Sequence, residues 1–159
     1  MGRRELDPLD GRAARAAALD ALARRDHATE DLRRNLVDKG YDAAVVVPLL
    51  EALRAEKLLD DRRYTENFVA YHAGRGQGPV RIRADLRRHG LTGDLVEECL
   101  DAFPDWIVQL RKARQKKFGA GLPTTYADRQ RQARFLGYRG FTSAQIRMAL
   151  GLGLDLDSD

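Results

Sequence analysis

At 159 residues, with 28 Lys+Arg against 24 Asp+Glu and 43% apolar residues, the chain is long enough for one domain or a few very small ones that share contacts. No apolar run approaches the ~18 residues of a membrane span, and nothing apolar follows Arg3 and Arg4, so neither a span nor a secretory signal is expected. Cys99 is the only cysteine, which excludes an intramolecular disulfide and a Cys-rich zinc site and points to a cytoplasmic location.

In chain order, residues 1–9 carry no helical pattern and are expected to be loose. Arg12 to Arg24 reads as a helix, with Ala14, Ala18, Ala21 and Leu22 on one stripe. A second helix carries Leu36 and stops at Gly40. Asp42 is the expected cap of a third, with Val46 and Leu50 on one face. Val45, Val46 and Val47 also suit a strand, but the copies of this segment further on are helical. Pro48 lies beyond the first turn and should kink that helix.

Asp61 to Ala73 sets Tyr64, Phe68 and Tyr71 at helical spacing. The stretch from Gly74 to Pro79 reads as a flexible linker. The next helix carries Leu86 and stops at Gly90, and Thr92 is the expected cap of the one bearing Val96 and Leu100. After Pro104, Asp105 should cap Trp106 to Phe118, whose face bears Ile107, Leu110, Arg114 and Phe118. Gly119 should stop it, and a linker runs to Pro123. A helix with Leu136 stops at Gly140, and Thr142 with Gln145 forms a capping box for a last helix with Ile146 and Leu150. Residues 151–159 are acidic and expected to be loose.

A period of fifty residues runs through these elements: Leu36, Leu86 and Leu136, then Gly40, Gly90 and Gly140, then Val46, Val96 and Ile146. The expected fold is therefore all-α, about nine helices in three tandem three-helix repeats at 10–60, 61–103 and 104–150, forming an elongated array. Such arrays mostly bind extended partners.

The catalytic inventory is poor. His27, His72 and His89 have no metal-ligand spacing, and capping or surface roles are expected for His27 and His89. No phosphate-binding loop is present, and Cys99 reads as a core residue. The chain is not expected to be an enzyme or to use a cofactor. Charge is better placed. Residues 101–150 hold ten basic and three acidic side chains. Such a surface suits a nucleic-acid backbone or an acidic protein face, although a charge run can also merely solvate a helix. Arg33 and Arg34 lie before Gly40; Arg81, Arg83, Arg87 and Arg88 before Gly90; and Lys112, Arg114, Lys116, Lys117 and Arg139 in the third repeat. Phe135 and Phe141 read as core; the role of Tyr138 stays open.

Four segments resemble the RecX family, bacterial regulators of the RecA recombinase. Ala23-Arg24-Arg25-Asp26-His27 with Leu32-Arg33-Arg34-Asn35-Leu36 resembles its opening segment. Leu58-Leu59-Asp60-Asp61-Arg62-Arg63-Tyr64, Gly78-Pro79-Val80-Arg81-Ile82 and Phe135-Leu136-Gly137-Tyr138-Arg139-Gly140-Phe141 resemble three further motifs. Ala28 replaces the usual serine, so Thr29 or Asp26 must cap the second helix or that helix starts frayed; Asp31 stands where Glu is common, and Lys57 where glycine is usual. The resemblance implies nine helices in three repeats. It also implies a protein that binds the RecA–DNA filament and inhibits its ATPase, strand exchange and co-protease action, without a cofactor. Single- or double-stranded DNA is a further implied partner, and a monomer is expected. The RecA- or DNA-contact candidates are Arg33, Arg34, Arg81, Arg83, Arg87, Arg88, Lys112, Arg114, Lys116, Lys117 and Arg139. The alternative is a helix-turn-helix-like DNA binder that acts without RecA.

Overall fold

The structure, a computed structural model, describes residues 4–151. The expected loose ends at 1–3 and 152–159 lie outside the described residues. Nine helices, and no strand, occur among the described residues: α1 Gly11–Arg24, α2 Thr29–Asp38, α3 Ala43–Ala55, α4 Asp61–Gly74, α5 Pro79–Arg88, α6 Asp94–Ala102, α7 Trp106–Phe118, α8 Tyr126–Tyr138 and α9 Ser143–Leu150. The valine run is helical, inside α3. Two compact units result. One takes the chain up to Thr65 together with Arg88–Leu91; the other takes Glu66–Arg87 and the residues from Thr92 on.

In the first unit, Ala14, Ala18 and Ala21 of α1 pack with Leu32 and Leu36 of α2 and with Val46, Leu49, Leu50 and Leu53 of α3. The small α1 side chains let the helices approach closely, and the larger aliphatic ones supply the buried area. Gly40 ends α2 at φ +110, so that Gly40 N–H reaches Val37 O (2.9 Å) and Tyr41 N–H reaches Leu36 O (3.1 Å). Asp42 caps α3 through Ala44 N–H (2.8 Å). Pro48 does not end α3. It sits on the exposed face, where water can serve the Ala44 carbonyl that a proline ring leaves without a donor. Residues 4–9, expected to be loose, carry a turn: Leu9 N–H donates to Asp7 Oδ1 (3.0 Å), and Pro8 O accepts from Asp42 N–H (2.9 Å).

In the second unit, Leu110 of α7, Leu136 of α8 and Ile146, Ala149 and Leu150 of α9 close around Phe141. The Thr142–Gln145 capping box forms in full, whereas Asp105 at the head of α7 makes no side-chain cap bond. Thr92 is not the cap of α6. Gly93 takes that place at φ +77 and ψ −155, a conformation open essentially to glycine alone, and the helix starts one residue later than in the other repeats. The linker before α5 is pinned rather than flexible. Gly78 N–H donates to Arg139 O (2.8 Å) and Val80 N–H to Gly140 O (2.9 Å), so the start of α5 is capped by carbonyls at the end of α8. A Cβ at Gly78 would stand 2.3 Å from Gly140 C.

Candidate polyanion interface

The eleven cationic candidates meet four different fates. Some are neutralised. Arg33 makes a bidentate pair with Glu30 (2.8 and 2.6 Å), and Arg34 reaches the same carboxylate at 3.3 Å and the Arg88 carbonyl at 3.0 Å. The hydrogen bond from Arg33 holds the Glu30 carboxyl below its ordinary range. Arg83 pairs likewise with Glu97 (2.6 and 3.0 Å) and depresses its pKa. Arg81, Arg87 and Arg88 are exposed, and the Arg81 Cβ packs where a Gly140 side chain would stand.

Arg114 corrects the expectation outright. It is 2% exposed, and its guanidinium donates to Gly121 O (3.0 Å), Ala120 O (3.2 Å) and Gln132 Oε1 (3.4 Å). It therefore clasps the loop between α7 and α8 and is not available to a partner. Its spacing held the warning, since it falls on the same stripe as Leu110.

The remaining four come together. Lys112, Lys116 and Lys117 of α7 and Arg139 after α8 line a groove of about 340 Å³ with Arg75, which follows α4. None of the described residues lining it is acidic. Phe135 forms part of its wall, with Arg139 Cζ 5.2 Å and Lys117 Nζ 5.8 Å from the ring centroid. The ring is thus partly core and partly groove, not wholly core as expected. Arg75 donates to Tyr71 Oη (3.0 Å) and lies over that ring. Sequence reasoning missed Arg75, because a glycine-rich connection has no helical face on which to place it. A concave surface with five cations and an aromatic wall is chemically suited to closely spaced phosphates.

Elsewhere the chemistry is structural. His27 is buried, not surface-lying, with Nδ1 3.0 Å from Arg25 O; His89 Nδ1 lies 2.7 Å from Asp31 Oδ2. Phe141 and Cys99 are buried as expected, and Tyr138 is 83% exposed. Among the described residues no metal-ligand cluster occurs, and no helix is long and apolar enough to cross a membrane.

Comparison with known proteins gives a consistent result. Residues 14–53, 60–100 and 107–150 match the family models described as the first, second and third three-helix domains of RecX. The chain is 47% identical over 138 residues to the regulatory protein RecX of Halorhodospira halophila, covering 86% of each chain. It is 43% identical over 135 residues to that of Ectopseudomonas mendocina, covering 84% of this chain and 90% of the relative. The fold is similar to the crystal structure of RecX from Lactobacillus salivarius, with a TM-score of 0.78 at 17% identity over 89% of this chain and 95% of that one.

Proposed function

Because this chain belongs to the RecX family of regulatory proteins, we propose that it binds the RecA–DNA filament and lowers RecA's ATPase, strand exchange and co-protease activity. Recombination, DNA repair and the SOS response would be tempered as a result. The observation that carries this reading is the groove of Arg75, Lys112, Lys116, Lys117 and Arg139, which offers five cations and no acid to a partner rich in phosphate. In this reading the groove meets the DNA backbone of the filament, while exposed faces elsewhere meet RecA. The protein works in the cytoplasm as a monomer without a cofactor and turns over no substrate of its own. The repeat boundaries that go with it are 10–60, 61–103 and 104–150.

Direct DNA binding without RecA is the second reading, favoured by the same acid-free groove. One assay separates the two. ATP turnover by RecA on single-stranded DNA is followed while this protein is added below the RecA concentration. A fall in turnover under those conditions supports filament binding. Inhibition only when the protein is sufficient to coat all the DNA supports competition for DNA instead.

A further inference from the structure

On α8 and α9 lies a second groove of about 340 Å³, floored by Ala133, Phe141 and Ile146 and rimmed by Arg129, Arg134 and Arg147. None of the described residues lining it is acidic. Its floor is apolar, which suits a ligand with hydrocarbon side chains as well as negative charge. Such a sequence is attached to the same unit. Gly151, at φ +66, ends α9, and the next eight residues are Leu-Gly-Leu-Asp-Leu-Asp-Ser-Asp. Leu152, Leu154 and Leu156 fall at every second position, and Asp155, Asp157 and Asp159 bring three negative charges to a rim with three arginines.

We propose that the α8–α9 groove is the docking site of the chain's own residues 152–159, which occupy it until a stronger polyanion competes. Reach is sufficient. Eight residues span at most about 26 Å, while the way back from Leu150 to Ser143 is about 10 Å along the helix. Ion pairs at an exposed rim contribute little individually. The leucines on the apolar floor and the high effective concentration of a tethered segment supply the rest. An interaction so built is weak, salt-sensitive and displaceable by nucleic-acid phosphates. It stands whether or not the chain regulates RecA.

The test compares amide and methyl NMR signals of Ala133, Phe141 and Ile146 in the full chain and in a chain ending at Gly151, at low salt. The signals should differ between the two. The full-length variant Asp155→Asn/Asp157→Asn/Asp159→Asn, and the parent in about 0.5 M salt, should move them toward the shortened chain's positions. Oligothymidylate should bind the shortened chain a few-fold more tightly. Identical groove signals in both chains, or differences confined to residues 148–151, would overturn the proposal. So would oligothymidylate shifting the groove signals of both chains with equal affinity, which would assign the groove to nucleic acid alone.

Discussion

Asp61, the first residue of α4, accepts through Oδ1 from both the backbone N–H (2.8 Å) and the hydroxyl (3.0 Å) of Thr29, the first residue of α2. This contact answers a defect that the sequence poses. Ala28 stands at the N-cap of α2 and has no side-chain acceptor. Asp26, the other local candidate, is engaged by Arg63 at 3.3 Å instead. The cap therefore comes from thirty-two residues away. Asp61→Ala should cost about 1–2 kcal/mol, the size of a lost helix cap, read as a lower urea midpoint with an unchanged slope. No change in midpoint would mean that water serves Thr29 equally well.

Lys57 has φ +59 and is the only described residue other than glycine at positive φ. It follows α3, where Lys57 N–H reaches Arg54 O and Leu58 N–H reaches Leu53 O, both at 3.0 Å. A left-handed conformation costs an L-residue with a Cβ about 1–2 kcal/mol, part of which is offset by the greater unfolded-state freedom of glycine. Lys57→Gly should therefore raise stability by about 0.5–1 kcal/mol. A lower thermal midpoint for this variant would show that the side chain contributes more than the strain removes.

Arg114 should behave as a structural residue. Arg114→Ala leaves the Gly121 and Ala120 carbonyls without their donor and opens a cavity beside Gln132. A loss of about 2–4 kcal/mol is expected. The folded fraction should keep the parent's affinity for oligothymidylate. Weakened binding with unchanged stability would return Arg114 to the interface.

The groove cations should behave in the opposite way. Lys112→Glu/Lys116→Glu/Lys117→Glu alters exposed side chains, each within about 0.5 kcal/mol of neutral for stability. Affinity for single-stranded DNA, or for the RecA filament, should fall and lose part of its salt dependence, by roughly 0.7 in log–log slope per phosphate contact removed. Arg83→Glu/Arg87→Glu is the contrast. It sets a new carboxylate against Glu97 and should disturb stability more than binding. If the two variants bind alike, the groove is not the site.

The Arg83–Glu97 pair also makes a pH prediction. The arginine's hydrogen bond lowers the folded pKa of Glu97. The stability it contributes is present in full above the unfolded value, about 4.3, and is lost as pH falls through the depressed folded value. Glu97→Gln should thus lower the urea midpoint slightly at neutral pH, and that difference should shrink as pH falls below the unfolded value. The difference should be small, because both side chains are substantially exposed. A difference independent of pH would assign it to packing.

Where each helix stops and starts was largely written in the sequence, because those events are local. A glycine that takes positive φ, and a Thr or Asp that accepts from N–H groups two or three residues on, act within a single turn of chain. Gly40, Gly90 and Gly140, the Asp42 cap and the Thr142–Gln145 box could therefore be read directly, and the fifty-residue period then gave nine helices. Thr92 failed for an equally local reason, since Gly93 offered a start that a residue with a Cβ could not.

Only the tertiary structure decided which cations face solvent together. Lys112, Arg114, Lys116 and Lys117 share one helix and one charge, yet Arg114 turns inward to loop carbonyls while the lysines line a groove. Arg33 and Arg83 lost their place as open cations to Glu30 and Glu97, and Arg75 gained one from a linker without periodicity. The Asp61–Thr29 cap and the hold of the α8 end on Gly78 and Val80 belong with these. Each joins groups many residues apart, and helical periodicity carries no information beyond the few residues that share a face. Long-range pairing is set by which helices pack together and how closely their ends approach.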